Sequence, residues 1–261
     1  MTVRRRDRLA DRVAAAGWDW PQPDWSSPPG IGAFATTRGG GISAAPRDSL
    51  NLALHCGDDP AAVAENRRRV GALLPSPPVW LEQVHGREVV VLDAGNVDAA
   101  RTTPPRADAA VTRLPDVVCA VLTADCLPVL FADREGAAVG AAHAGWRGLA
   151  GGVLEATVAA LVDLGVPAAR LKAWLGPAIG PGAFIVGPDV VDAFCGLDPG
   201  SADAFAAGDG DRRRADLYAL ARGTQCTWSD RDRYFSYRRD RATGRQGAFI
   251  WREPDSGGDG V

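Results

Sequence analysis

The sequence predicts one mixed α+β domain. Short β-rich runs dominate, helical segments fall among them at irregular intervals with no clean βαβ alternation, and no linker divides the stretch from Ile31 to Trp251. With 261 residues and 46% hydrophobic content the chain can bury a substantial core unaided.

Residues 1–30 look like an appendage: an Arg/Ala-rich helix through Ala16, then "WDWPQPDWSSPPG", whose prolines exclude regular structure. "IGAFATTR" opens the domain as a strand, "GGGIS" is a loop that only glycines form freely, and "SLNLALHCG" alternates like a second strand. Asp58, Asp59 and Pro60 place carboxylates and a proline at a helix start, leading into "AAVAENRRRVGALL". Beyond "PSPP", the segment "VWLEQVHGREVVVLDAG" reads as two strands joined at His85 and Gly86, followed by a polar loop through "TTPPRAD". "AAVTRL", "VVCAVLTADC", "LPVLFAD" and "AAVGAAHAG" are strands separated by Pro, Asp and Gly. "WRGLAGGVLEATVAALVDLG" has helical spacing and ends at Gly165, as a helix C-terminus does. "LKAWLGPAIG" is a strand entering a Gly/Pro loop, and "PDVVDAFCGL" and "ADLYALARG" are short helices. "RYFSYRRDRATGRQGAFIW" reads as a hairpin turning at Thr243 and Gly244, and residues 253–261 as a disordered tail.

A formal net charge of −3 gives no global attraction to nucleic acid or to an anionic membrane, so a small neutral or anionic substrate fits better. The five cysteines are odd in number, widely spaced and free of any C-x-x-C pair, which predicts reduced thiols in a cytoplasmic protein. Charges interrupt the basic N-terminus where a secretory signal needs a continuous apolar run, and no run is long enough to span a bilayer.

The three histidines and five cysteines make any convergence of the two types informative. His85, Cys126 and His143 each end an apolar run beside a turn former, so each side chain stands at a strand terminus where a pocket can open. A thiolate with two imidazoles suits zinc or copper better than magnesium or calcium, although the spacing matches no short zinc-finger pattern. Taken singly, Cys126 reads first as a small core residue and His143 as a packed histidine. Cys119 falls on the opposite strand face and belongs to the core, Cys56 and Cys195 read as structural, and His55 as packing. Gly39, Gly40 and Gly41 could approach an anion or simply form a mobile loop. The arginine-rich segment "RDRYFSYRRDRATGR" could bind nucleic acid, but the acidic whole-chain balance favours a solvated face, with Arg238 or Arg239 reaching a phosphate.

In unbroken order, "TTRGGGIS", "SLNLALHCGDD", "WLEQVHG", "ADAAVT", "TADCLPVLFAD", "AAHAGWRG", "LGPAIGP" and "FSYRRDRATGRQGAFIW" resemble the YfiH-type laccase-domain family over residues 31–252. The resemblance implies a four-layer α/β/β/α arrangement with mixed sheets. It also implies that His85 of the QVHG motif, Cys126 of the ADC motif and His143 of the HAGWRG motif form one metal-binding catalytic site. The activity implied is zinc-dependent, with copper the other candidate ion: phosphorolysis of adenosine, inosine, guanosine and methylthioadenosine, and deamination of adenosine. Arg38, Arg147, Arg238 and Arg239 are then candidates to hold the phosphate, and Gln83 and Asp125, each beside a ligand in its motif, are candidates to contact substrate or handle protons.

Three other readings stand beside this one: hydrolytic editing of serine misincorporated into a peptidoglycan precursor, copper-dependent phenol oxidation, and a nucleic-acid or protein-binding module built on the arginine-rich segment. Multicopper oxidation needs a larger histidine set than the three available. A monomer is expected. Two features depart from the family pattern: the thirty-residue extension, and a short connection between Asp216 and Cys226 where a helix and strand are expected.

Overall fold

The computed structural model of the protein describes residues 9–23, 30–221 and 232–254. In its first half, α1 (Leu9–Ala15) precedes β1 (Ile31–Ala35), α2 (Pro60–Gly71), β2 (Val89–Leu92), α3 (Val97–Thr102), β3 (Ala109–Thr112), β4 (Cys119–Thr123), β5 (Leu127–Asp133) and β6 (Val139–Ala144). Then follow α4 (Trp146–Ala150), α5 (Val153–Asp163), β7 (Leu171–Leu175), β8 (Ile185–Val186), α6 (Pro188–Cys195), β9 (Phe205–Ala207), β10 (Arg213–Ala215), α7 (Leu217–Ala221), α8 (Tyr237–Asp240) and β11 (Gln246–Arg252).

Two sheets form the centre. One runs β1-β11-β4, all antiparallel; the other runs β2-β3-β6-β5-β7, with β2 parallel to β3 and the remaining pairs antiparallel. The two-residue period of a strand decides what each face covers. Along β4, Cys119 and Val121 point between the sheets with Ala248 and Ile250 of β11, against Leu130, Ala132, Val139 and Ala141 of the second sheet. Val118, Ala120 and Leu122 point the other way, toward Val70 and Leu73 of the α2 region. The far face of the second sheet, with Val129, Phe131 and Ala142, is covered by Val153 and Leu161 of α5 and by Val190 and Phe194 of α6. Helix, sheet, sheet, helix is thus the layer order, as the family resemblance implies. A third, small sheet, β8-β10-β9, flanks the α5–α6 side.

Local chemistry explains the helices. Asp59 caps α2 by accepting the Ala61 N–H at 2.9 Å, with Pro60 in the first turn where its missing N–H costs nothing. The helix expected from Trp146 to Gly165 is two helices, because Gly152 adopts φ 86° between α4 and α5. Gly165, at φ 86°, closes α5 as predicted.

The structure corrects several sequence expectations. Residues 50–53 form no strand: Leu50 and Leu52 are buried, but their N–H groups go to the carbonyls of Arg38 and Arg245 in loops. Within "VWLEQVHGREVVVLDAG" only β2 is a strand, the earlier part touching neighbours through isolated bridges at Val79 and Glu82, and α3 follows where a loop was expected. The hairpin expected at Thr243 and Gly244 is absent. Instead Ser236 caps α8, and β11 leaves to pair with β1 and β4. The small third sheet was not anticipated.

The N-terminal segment packs on the domain rather than standing apart. Val13 and Trp20 are buried, and the Trp20 ring stacks on Trp18 at 4.1 Å and on Phe34 of β1 at 5.0 Å. The expected tail beyond Glu253 and the shortened connection before Cys226 fall mostly outside the described residues. None of the described helices is long and apolar enough to cross a membrane.

Candidate metal centre and its cavity

The chain crosses from one central sheet to the other through Ala124, Asp125 and Cys126, between the end of β4 and the start of β5. Asp125 makes that crossing at φ 85°, a left-handed conformation that a non-glycine residue holds only when its surroundings enforce it. Here its carboxylate accepts the Ser236 hydroxyl at 2.7 Å and the Arg238 N–H at 2.5 Å, and its carbonyl accepts the Ile179 N–H at 2.9 Å. Cys126 is thereby presented at the sheet junction. His143 lies near the end of β6, opposite Pro128 of β5.

His85 arrives by a loop in which it too is left-handed, at φ 61°. One carboxylate holds that loop: Asp108 accepts the N–H groups of Val84, His85 and Gly86 at 3.1, 2.9 and 2.7 Å. The same carboxylate lies 2.8 Å from Nδ1 of His143, and the His143 N–H donates to the Asp108 carbonyl at 2.7 Å. Asp108 is therefore the link between two of the three predicted ligands. Sequence reasoning missed it, because an Asp just before a strand reads as a turn residue.

The potential ligand atoms of His85, Cys126 and His143 lie within 4.8 Å of one another, the one such group of His, Cys, Asp and Glu among the described residues. Nε2 of His85 is 3.6 Å from the Cys126 sulfur, and the two imidazoles meet edge-to-face with centroids 4.7 Å apart. Burial alone would raise the Cys126 thiol, but the charge and hydrogen bond of His143, with help from His85, bring it down to about 6. Burial likewise opposes a charged His143, and the Cys126 thiolate and Asp108 outweigh it, lifting the imidazole to about 9. Burial works against the Asp108 carboxylate as well, yet its bonds from His143 and from the Gly86 and Val84 N–H groups keep it low.

The donor set fits a thiophilic divalent ion. A thiolate with two imidazoles is a zinc or copper set, and a carboxylate behind a ligating histidine is the usual device for fixing its ring. Space is reserved beside the donors: a Cβ on Gly145 would lie 2.8 Å from Cδ2 of His85 and 2.9 Å from the Cys126 sulfur.

The three residues open on a cavity of about 830 Å³. Trp146, Ile179, Phe184 and Leu217 give it an apolar wall, and Arg147, Arg238, Arg241 and Arg245 give it a cationic rim. Two of the predicted arginines are thus at the cavity and two are not. Arg38 bonds Asp48 and lies over Phe235, in a separate depression, and Arg239 pairs with Asp240 and the Tyr234 carbonyl. Gln83 lines the cavity, but both ends of its amide are engaged by the Leu122 backbone at 2.8 Å, so it ties the His85 segment to β4. Arg241, Arg245, Tyr237 and the exposed His55 reach the cavity without having been singled out as site residues. For Tyr237, Arg241 and Arg245 the signal was present only as an arginine-rich run. Cys119 is fully buried between the sheets, its thiol pushed up to about 12 by burial, and stands outside this chemistry.

Residues 32–253 match the family model described as multi-copper polyphenol oxidoreductase laccase. The chain is 50% identical over 244 residues to the purine nucleoside phosphorylase YfiH of Escherichia coli K12, covering 88% of this chain and 97% of that one. It is also 50% identical over 246 residues to a purine nucleoside phosphorylase of Pseudomonas aeruginosa, covering 89% and 98%. Among solved structures, a Neisseria meningitidis protein superposes with a TM-score of 0.84 at 48% identity, covering 90% of this chain and 99% of that one. YlmD from Geobacillus stearothermophilus gives 0.84 at 33% identity, covering 90% and 96%.

Proposed function

The chain belongs to the multi-copper polyphenol oxidoreductase laccase family, the one its YfiH-named relatives share, and from that membership we propose that it is a zinc-dependent purine nucleoside phosphorylase that also deaminates adenosine. The observation that carries the reading is the convergence of His85, Cys126 and His143 on a cavity with an apolar wall and a cationic rim. His85, Cys126 and His143 would hold the ion, and its chemistry when bound is to polarise an oxygen and lower the pKa of water.

The rest follows from the chain's own groups. In phosphorolysis the bond from ribose C1′ to the purine nitrogen breaks, its electron pair leaves with the base, the base gains a proton, and a phosphate oxygen bonds to C1′. The base needs a flat apolar seat, which Trp146, Ile179, Phe184 and Leu217 offer. Phosphate needs cationic donors, and the arginines of the cavity supply them. In deamination water adds at purine C6 and ammonia leaves, so phosphate is not required. Asp108 keeps the His143 ring in one orientation throughout. A single donor cluster among the described residues, in a chain with three histidines, favours a one-ion hydrolytic and phosphorolytic chemistry over multicopper oxidation.

The test is elemental analysis of the purified protein, followed by incubation with adenosine with and without phosphate. Free adenine and ribose phosphate report phosphorolysis; inosine and ammonia report deamination. Retention of both metal and activity by Cys126→Ala and His143→Ala would overturn the assignment.

A further inference from the structure

The cationic rim is built against the sign of the molecule. The chain carries a formal net charge of −3, yet four arginines line one cavity and none of them is in an ion pair with another described residue. Of the two carboxylates on the same lining, Asp125 is engaged by Ser236 and Arg238, and Glu82 is exposed. Unneutralised guanidinium groups gathered at a concave surface repel one another, and the arrangement is stabilised when an anion enters.

The four are not equivalent. Arg238 donates to the Ile185 carbonyl. Arg241 and Arg245 flank one ring, with guanidinium carbons 5.9 and 5.5 Å from the Tyr237 centroid. Arg245 uses one terminal nitrogen on the carbonyls of Thr243 and Gly244, and among the described residues no group accepts from the rest of its fork or from the Arg241 side chain. His55 shares this side of the cavity; its imidazole is held below its ordinary value by burial and by the charges of Arg245 and Arg67. The backbone fixes the pair further. Arg241 sits at φ 57°, a left-handed residue just after α8, and Arg245 immediately precedes β11, its N–H bonded to Asn51 at 2.9 Å. Stacking on a ring limits the rotamers of both side chains and leaves their forks for a tetrahedral oxyanion.

We propose that Arg241 and Arg245, aligned by Tyr237, form the phosphate-binding subsite of this cavity, and that its occupant is inorganic phosphate acting as co-substrate. This assignment rests on the phosphorylase reading.

The experiment is steady-state phosphorolysis with phosphate and adenosine varied separately, together with calorimetric titration of inorganic phosphate and of adenosine 5′-monophosphate into the metal-loaded protein. Arg241→Ala and Arg245→Ala are expected to raise the KM for phosphate at least tenfold, with the KM for adenosine changed less than twofold, and to abolish calorimetric phosphate binding. Arg241→Lys, which keeps the charge and loses the fork, should fall between. Unaltered phosphate KM in both alanine variants overturns the subsite and leaves the phosphorylase reading standing. A wild-type protein that releases no ribose phosphate defeats that reading. The titration still decides the subsite in that case: loss of phosphate binding in the variants supports it, and unchanged binding overturns it. Binding of the nucleotide but not of inorganic phosphate through Arg241 and Arg245 overturns the co-substrate assignment.

Discussion

Nδ1 of His143 lies 2.8 Å from a carboxylate oxygen of Asp108, and Asp108 is wholly buried. The same group gathers three consecutive N–H donors from the loop carrying His85, so one side chain orients two candidate ligands on separate elements. In Asp108→Asn one oxygen becomes an NH2 group, which then faces either the Val84 and Gly86 N–H groups or the His85 N–H and His143 Nδ1. Metal affinity measured by chelator competition is expected to fall about 10- to 100-fold. Metal affinity equal to that of the parent would contradict this role.

Gly145 has φ −65°, which alanine adopts freely, so its requirement is space and not conformation. Its added methyl would meet His85 and Cys126 below 3 Å. Gly145→Ala is therefore expected to lose metal and activity while its far-UV circular dichroism stays that of the parent. A fully loaded, active Gly145→Ala protein would show that the space beside the ligands is not needed.

Metal binding should also be visible as stability. Zinc at about 100 times its Kd adds about 2.7 kcal/mol if the unfolded chain does not bind it. Thermal unfolding of the apo-protein is expected to shift upward on zinc addition, and the shift to vanish in Cys126→Ser.

Asp133 ends β5 with its carboxylate buried, accepting Nε of Arg170 at 2.8 Å, a second Arg170 nitrogen, and the Ala137 N–H at 3.0 Å. The Arg170 bonds are the chief cause of its lowered pKa, with burial opposing them. A depressed carboxyl stabilises the fold above its unfolded value near 3.9 and loses that contribution as pH falls through the lower folded value. Asp133→Asn is expected to cost about 2 kcal/mol at pH 7. Urea unfolding should show the gap to the parent narrowing below about pH 4; a gap that widens on acidification would reverse the sign.

Trp20 contributes to the core layer that also holds Phe34 and Phe249, although it lies outside the span of the matching family model. Trp20→Ala is expected to destabilise by about 3–5 kcal/mol, as for a buried aromatic. Unchanged denaturant midpoints would mean the segment is dispensable.

Strands β3 to β6 were legible because their apolar runs are long enough to be buried on both faces and are punctuated by Asp, Gly and Pro. The alternation of residues 50–53 misled, since burial of Leu50 and Leu52 needs no ladder when loop carbonyls take their N–H groups. The Tyr237 segment misled for a related reason: its capping by Ser236 and its anchor on Asp125 depend on a residue far away in sequence. Local chemistry identified His85, Cys126 and His143 as candidate donors. Asp108 was out of reach, because its role exists only once β3 lies beside β6. The same non-locality separates Arg238 from Arg239, neighbours in sequence that face different partners.

Strand β11 is last in sequence among the described strands yet central in its sheet, between β1 and β4. A nascent chain that has reached Thr243 leaves both neighbours with unmatched edges, and β11 must enter between strands made much earlier, a long loop closure of the kind that slows folding. The Asp125 carboxylate waits for the same late stretch, since Ser236 and Arg238 supply its partners. The loop bearing Cys126 is thus locked only after nearly the whole chain has been synthesised. Order of translation acts here as a timer: the candidate metal donors are made early, and their rigid arrangement is among the last things to form.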